Sequence, residues 1–231
     1  FCDHAKSVLQ DGATGVTPFG TTGEGASIAF DERSEAISAL ITSGIPPQAI
    51  TLGLCASAIG DVALQVQQGI GFGITRFLLT PPFYFKGLED AGLFDWHEQV
   101  FGAADDRATF ILYHIPQMTN VPLSLELTRS LRSAFPDQVV AIKDSAGHWE
   151  DTRQLLESGE IPVLVGDERL LHKAAAMGAA GSICGMANLH PRRMRMLFDT
   201  HVEDNALSAE VDAIVAGPVI PALKQAIASK T

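Results

Sequence analysis

The stretch Val139-Val140-Ala141-Ile142-Lys143 places a lysine directly after four apolar residues. A short apolar run of this kind predicts a buried β-strand, so the lysine would stand at the carboxyl end of that strand, between core and solvent. Partial desolvation favours the neutral form of an amine, and a neutral amine can attack a carbonyl carbon to form a Schiff base. The alternative is a structural lysine whose ammonium group extends to solvent. The rest of the chain decides between these two interpretations.

Short apolar runs alternate with amphipathic segments along the whole chain. The predicted strands are residues 15–17, 49–54, 77–79, 109–113, 139–143, 163–165 and 182–184, and the predicted helices are 31–43, 61–71, 88–104, 124–134, 150–158 and 168–177. A strand and a helix recur about every 30 residues, which is the period of βαβ units. This α/β pattern favours a (β/α)8 TIM barrel over a doubly wound sheet.

The predicted strands are one short of a closed barrel. Residues 2–10 resemble the end of a helix, so the first strand would precede residue 1, and a helix predicted at 219–229 stops close to the last residue. We therefore predict that both ends are trimmed. Residues 1–198 are assigned to a barrel that lacks strand 1, and residues 199–231 to part of a small C-terminal helical extension.

Composition excludes several classes of partner. A net charge of −11 and a pI near 4.9 argue against nucleic acid and anionic membrane surfaces. No apolar segment reaches the roughly 18 residues of a transmembrane helix. Three cysteines without a CxxC pair are typical of a reducing compartment. We therefore predict a cytoplasmic protein with a small-molecule partner.

Polar residues follow several of the predicted strands, where a parallel barrel builds its site. The segment Gly20-Thr21-Thr22-Gly23-Glu24-Gly25 offers backbone N–H groups and hydroxyls to a carboxylate or phosphate, or is an ordinary tight turn. Tyr113 ends another apolar run and is either a core tyrosine or a proton carrier. Strand alternation points His114 and Asp144 to the opposite face, so we predict a structural role for His114 and do not expect Asp144 to pair with Lys143. The strand ends offer no His and carboxylate cluster for a metal.

Together these residues resemble the dihydrodipicolinate synthase and N-acetylneuraminate lyase family of pyruvate-dependent class I aldolases. The resemblance runs in register from about residue 1 to residue 188 and is weaker through residues 218–224. Its motifs are Gly20-Thr21-Thr22-Gly23-Glu24, Leu112-Tyr113-His114-Ile115-Pro116, Val140-Ala141-Ile142-Lys143-Asp144-Ser145-Ala146-Gly147, Val165-Gly166-Asp167 and Gly178-Ala179-Ala180-Gly181-Ser182-Ile183.

The resemblance implies a role for each matching residue. Lys143 would form the Schiff base and Tyr113 would shuttle protons. Thr21 and Thr22 would hold the carboxylate of pyruvate, and Thr21 would relay protons to Tyr84 of a neighbouring subunit. The pocket around the lysine would be shaped by Gly166 and the Ile183 carbonyl. The resemblance further implies a homo-oligomer, built as a tetramer of tight dimers, and a reaction that needs neither a metal nor an organic cofactor.

One departure from the family bears on the substrate. Dihydrodipicolinate synthases carry an arginine where this chain has Met118. A thioether cannot replace a guanidinium group that binds a carboxylate through two hydrogen bonds. Glu168 could contact a sugar hydroxyl as in the lyase branch, but Arg169 replaces a carboxylate there. Three reactions stay open: aldol cleavage to pyruvate and an aldehyde, dehydration of a 2-keto-3-deoxy sugar acid, and dihydrodipicolinate synthesis, which Met118 disfavours. A fourth possibility is binding of a 2-oxo acid without turnover.

Overall fold

Six parallel strands form the centre of the fold in the computed structural model, which describes residues 1–230. They lie side by side in chain order, and each pair of neighbours runs parallel. An isolated parallel bridge between Val16 and Ile50 extends the edge beyond the first strand. The strands are β1 Leu52–Leu54, β2 Arg76–Leu79, β3 Thr109–His114, β4 Val139–Asp144, β5 Val163–Val165 and β6 Gly181–Ser182.

Helices follow the strands and cover the outer face of the sheet. The helices are α1 Cys2–Gln10, α2 Phe30–Thr42, α3 Ile59–Gly71, α4 Asp90–Ala103, α5 Pro116–Thr119, α6 Leu125–Ala134, α7 Trp149–Ser158, α8 Leu171–Ala176, α9 Pro191–Thr200, α10 Asn205–Val215 and α11 Val219–Ala228. The buried side chains of α1 to α4, α6 and α7 form one large cluster with the outward-facing residues of β1 to β5. Those of α8 to α11 form a second cluster with Val165 of β5. The α/β architecture with a parallel sheet is therefore as predicted.

The sheet separates two apolar layers because successive side chains of a strand point to opposite faces. Phe110 and Leu112 of β3 belong to the large outer cluster. Ile111 and Tyr113 of the same strand belong to a smaller inner cluster with Leu78, and this cluster lies on the inner face of the sheet. The carboxyl end of this inner layer is where a parallel barrel presents polar groups.

The described sheet is smaller than the predicted barrel. Within residues 1–230 it is an open sheet of six strands, and the strand predicted at 15–17 is reduced to the single Val16 bridge. The chain leaves the sheet soon afterwards because Phe19 adopts a left-handed backbone conformation, with φ of 63°. An eight-stranded barrel is therefore not seen among the described residues.

Several predicted boundaries also differ from the structure. The predicted strand 49–54 begins only at Leu52, because residues 47–49 form a 3-10 turn started by a proline. The predicted helix 168–177 is divided into a 3-10 turn and α8, and the Asp167 carboxylate caps the start of that turn. The prediction missed α5, α9 and α10. Ser124 starts α6 as expected, since its hydroxyl accepts a hydrogen bond from Leu127 N.

The last helix reaches back to the polar end of the sheet. Leu223 of α11 is buried against the loop after β6, and its Cδ1 lies 3.1 Å from where a Cβ on Gly185 would stand. Lys224 Nζ lies 2.5 Å from Glu24 Oε2. The C-terminal helices therefore border the loops that carry the candidate site.

Candidate functional site

Lys143 and Tyr113 face each other on neighbouring strands. They are register partners in β3 and β4, and the Lys143 ammonium nitrogen lies 4.1 Å from the centroid of the Tyr113 ring. Both side chains are buried, with Lys143 only 7% exposed. Among residues 1–230 no carboxylate forms an ion pair with Lys143. The amine is therefore not held by an acidic neighbour and lies over an aromatic ring.

Thr21 joins this pair from the loop that precedes α2. Its hydroxyl oxygen lies 3.1 Å from the Tyr113 hydroxyl oxygen, so one of the two donates a hydrogen bond to the other. Thr21 is half-buried, whereas Thr22 is exposed. The structure therefore brings together Lys143, Tyr113 and Thr21, three residues that lie far apart in sequence.

Gly166 and Ile183 lie at the ends of the next two strands. Gly166 N donates to Asp144 O at 2.7 Å, and a Cβ on Gly166 would come 1.9 Å from Ser145 Oγ. Ser145, which follows Lys143 and Asp144 in the chain, therefore leaves no room for a side chain at position 166. Ile183 packs against the inner cluster that contains Tyr113.

Glu168 is a buried acid at the same end of the sheet. Its Oε1 accepts a hydrogen bond from Met186 N at 2.7 Å, and burial raises the pKa of this carboxyl. A Cβ on Gly185 would stand 3.8 Å from both Glu168 Oε1 and Thr22 Cγ2. Glu168 and Thr22 thus line one rim. The Arg169 guanidinium is occupied by Asp167 and Asp212, which bind it from two sides.

Two of the residues singled out in the sequence lie away from this group. Tyr84 is 84% exposed, its backbone has a φ of 87°, and its ring contacts Phe85 edge to face. Tyr84 makes no hydrogen bond to Tyr113 or Thr21 within the described residues. Met118 is 61% exposed. The structure therefore does not bring Tyr84 to the lysine within one chain.

His114 and Asp144 lie on the outer face, as strand alternation predicts. His114 Nδ1 lies 3.0 Å from Asp144 Oδ1, and the Thr152 hydroxyl donates to Asp144 Oδ2 at 2.6 Å. Burial alone would raise the pKa of Asp144, but hydrogen bonds from His114, Thr152 and Ala146 N outweigh it and keep this pKa below its usual value. This pair ties β3 to β4 directly behind Tyr113 and Lys143.

Sequence reasoning missed two thiols at the site. Cys55 Sγ lies 3.3 Å from Phe19 O and 3.5 Å from Thr80 Oγ1, and burial raises its pKa. Burial, followed by the nearby Glu168, raises the pKa of Cys184 to about 12. Both thiols are therefore protonated at neutral pH. The available signal was their position at strand ends, since Cys55 follows the predicted strand 49–54 and Cys184 is the last residue of the predicted strand 182–184.

The described part of the chain, residues 1–230, offers neither a metal-binding cluster nor a membrane-spanning helix. Within residues 1–230 no three His, Cys, Asp or Glu side chains converge closely enough to hold a metal ion. No helix in the same part of the chain has the length and apolar composition needed to cross a membrane.

Comparison with known proteins identifies the family. The sequence model of the Dihydrodipicolinate synthetase family matches residues 3–228. A DapA-like lyase from Chloroflexus aurantiacus is 31% identical over 97% of this chain and 77% of its own length. A 4-hydroxy-tetrahydrodipicolinate synthase from Pelobacter propionicus is 27% identical over 84% of this chain and 66% of its own length.

Solved structures agree with this result. Dihydrodipicolinate synthase from Agrobacterium tumefaciens is 38% identical, with a TM-score of 0.96 over 100% of this chain and 81% of that one. A 2-keto 3-deoxygluconate aldolase from Picrophilus torridus has a TM-score of 0.87 over 99% of this chain and 85% of that one, at 21% identity, and so shows the fold alone. The fold and the buried lysine thus indicate an α/β lyase. The chain belongs to the Dihydrodipicolinate synthetase family, which confirms the predicted family and enzyme class.

Proposed function

We propose that the protein is a Schiff-base-forming aldolase that cleaves or forms a 2-oxo acid from pyruvate and an aldehyde. The observation that carries this proposal is the contact between Lys143 and Tyr113, with Thr21 hydrogen-bonded to the same tyrosine. A buried amine without a carboxylate partner is suited to attack a carbonyl group. A phenol within hydrogen-bond reach of a hydroxyl is suited to move protons beside it.

The first half of the reaction forms an imine. Lys143 Nζ attacks the C2 carbonyl of the 2-oxo acid, and the resulting carbinolamine loses water to give a protonated imine. The hydroxyls and backbone N–H groups of Thr21 and Thr22 bind the adjacent carboxylate. Tyr113 donates and accepts the protons of the dehydration, since its ring is already beside the lysine.

The second half breaks a carbon–carbon bond. Tyr113 takes the proton of the C4 hydroxyl, the C3–C4 electron pair moves into the imine, and an aldehyde leaves. The remaining enamine is protonated at C3, and water hydrolyses the imine to release pyruvate and the free Lys143 amine. The covalent imine supplies the electron sink, so the chain's own residues account for every step. Gly166 and the Ile183 carbonyl shape the pocket, and Glu168 faces the hydroxyl-bearing end of the substrate.

The Tyr84 loop suggests how a second copy completes the site. Tyr84 and Phe85 expose most of their rings, which is unusual for two adjacent aromatic residues. We propose that a partner subunit covers them in a homotetramer of tight dimers and that Tyr84 reaches the partner's proton relay. Tyr84→Phe should then lower turnover more than substrate binding, whereas Phe85→Ala should weaken the dimer in analytical ultracentrifugation. Unchanged turnover in Tyr84→Phe would argue against the relay.

Dihydrodipicolinate synthesis is the second candidate, because a synthase of that name is 38% identical over the whole chain. Met118 counts against it, since no guanidinium stands at that position to bind the carboxylate of a second substrate. Dehydration of a 2-keto-3-deoxy sugar acid would use the same imine and break a carbon–oxygen bond instead. Product analysis separates this dehydration from the aldol cleavage, because only the aldol cleavage releases pyruvate.

A screen of synthetic aldol adducts tests the proposal. Each adduct of pyruvate with an aldehyde is incubated with the protein, and released pyruvate is measured; a Lys143→Met variant is the control. We expect at least one adduct to release pyruvate with the wild-type chain and none with the variant. Loss of activity after removal of metal ions with EDTA would contradict a mechanism based on Lys143.

We also propose a closed barrel, its limits in the chain and a C-terminal helical extension. This chain covers 81% of the Agrobacterium protein, and we propose that the sheet, extended at the Val16 edge, belongs to an eight-stranded barrel. Residues 1–198 would belong to that barrel. Residues 199–231 would be part of a helical extension, in line with the position of α10 and α11 after the last strand. A cytoplasmic location also stays a prediction.

A further inference from the structure

Arg33 is a buried charge that the proposed mechanism does not use. It lies on α2, is 1% exposed, and donates a hydrogen bond from Nη2 to Gly53 O in β1 at 2.9 Å. Its Nε and Nη1 have no hydrogen-bond partner, and no carboxylate within residues 1–230 forms an ion pair with it. Burial lowers the pKa of Arg33 to about 10, so the group is charged at neutral pH. A buried cation without a counterion is costly, so stability does not explain its presence.

The Arg33 guanidinium rests on a single aromatic ring. Its Cζ lies 4.2 Å from the centroid of the Phe19 ring, which is the geometry of a cation–π contact. Phe19 has a φ of 63°, a left-handed conformation that is unfavourable for a residue with a side chain. Arg33 therefore contacts a backbone turn that needs outside support.

The Phe19 turn is wedged between β1 and the returning loop. The Phe19 carbonyl oxygen would lie 2.2 Å from a Cβ on Gly53 and 1.9 Å from a Cβ on Gly25. The thiol of Cys55 also donates to this oxygen, at 3.3 Å. Only glycine fits at positions 25 and 53, because both residues pack directly against the Phe19 carbonyl. This close packing restricts the position of the Phe19 peptide.

The loop that starts at this turn carries the threonines of the candidate site. Gly25 N donates to Gly20 O at 3.1 Å, and Glu24 N donates to Thr21 O at 3.1 Å. These two bonds close the segment that carries Thr21 and Thr22. Because Thr21 in turn reaches the Tyr113 hydroxyl, any shift of the Phe19 peptide is passed to the proton relay.

We propose that Arg33 is a positioning residue for the threonine loop. Its cation holds the Phe19 ring on one side and the β1 carbonyl on the other, and thereby fixes the loop that binds the substrate carboxylate. The effect on substrate rests on the proposed function of Thr21 and Thr22. The mechanical part, a loop held by Arg33, does not depend on any reaction.

Hydrogen exchange read by mass spectrometry tests the mechanical part. Arg33→Met keeps the apolar stem and removes the charge, Arg33→Lys keeps a charge, and Ile37→Val is a control buried on the same helix. The quantity measured is the ratio of the exchange rate of the Glu24 and Gly25 amides to that of the β3 amides. We expect this ratio to be about tenfold higher in Arg33→Met than in the wild type, with partial recovery in Arg33→Lys. The control should leave this ratio unchanged. An equal ratio in Arg33→Met and Ile37→Val would overturn the proposal.

Reductive trapping of pyruvate tests the effect on substrate. The pyruvate concentration that gives half-maximal trapping should rise about tenfold in Arg33→Met, with little change in the maximal trapping rate. A loosened loop with an unchanged half-maximal concentration would overturn the link to substrate. If the wild-type chain traps no pyruvate, the proposed function fails, and the exchange ratio still decides the role of Arg33. Phe19→Leu, which removes the ring face, should reproduce the exchange result if Arg33→Met does not fold.

Discussion

Replacing the buried His97 with phenylalanine should change how the stability of the fold depends on pH. The His97 ring lies on α4 between Trp96 and Phe101, and its Nδ1 is 2.7 Å from Leu93 O. Its Nε2 has no partner within the described residues. Protonation would therefore place both a charge and an unpaired donor in the core. Burial accordingly lowers the pKa of His97 to about 4.

The size of the effect follows from the difference between the folded and unfolded states. The unfolded chain takes up this proton near pH 6.5, whereas the folded chain does not do so until the pH approaches 4. Stability from His97 is thus fully present above pH 6.5 and is lost as the pH falls towards 4. Each pH unit in this window costs about 1.4 kcal/mol, so the loss between about pH 7.5 and about pH 4.5 should be about 2–3 kcal/mol.

The assay is urea unfolding of the wild type and two variants at both pH values. His97→Phe lacks the titrating ring. The difference between its free energy of unfolding and that of the wild type should therefore shift by about 2–3 kcal/mol in favour of the variant as the pH falls. Phe101→Leu is the control, because it removes buried apolar volume beside the same ring and should cost about 1 kcal/mol at both pH values. Other titrating groups are common to all three proteins and cancel. A constant difference between His97→Phe and wild type would refute the reasoning.

Three further substitutions test the geometry of the site. Tyr113→Phe should lower turnover by about 10²–10⁴-fold and also slow the trapping of pyruvate, since it removes the proton carrier of both halves of the reaction and keeps the ring; turnover close to the wild-type value would contradict this. Gly166→Ala should cost about 1–3 kcal/mol in urea unfolding because its Cβ would meet Ser145, whereas Gly102→Ala meets nothing within 4 Å and should cost nothing. Asp144→Asn should cost about 2 kcal/mol at neutral pH; because the folded-state pKa of Asp144 is lowered, this deficit should shrink as the pH falls through that value, and a deficit independent of pH would refute the role.

The faces of β3 and β4 could be predicted from sequence because strand alternation is a property of the backbone alone. The same rule that pointed Tyr113 and Lys143 inward sent His114 and Asp144 outward, and the His114–Asp144 contact lies there. The buried strands were found because their apolar runs are dense. The strand at 15–17 was overpredicted, since nothing in its composition shows that Phe19 turns out of the sheet.

Arg33 illustrates what sequence cannot supply. An arginine near the start of a helix, between acidic neighbours, is typical of a solvated face. Its burial is set by the positions of β1 and the Phe19 ring, which come from distant parts of the chain. The exposure of Tyr84 could not be predicted either, because it depends on a left-handed backbone, with φ of 87°, that the local sequence does not reveal.

Borohydride reduction in the presence of pyruvate, followed by peptide mapping, tests the central claim most directly. Lys143 is buried beside Tyr113, whereas Lys224 is exposed and offers an internal comparison. We predict a reduced pyruvate adduct on Lys143 and none on Lys224. An unmodified Lys143, or labelling spread equally over both lysines, would contradict the account.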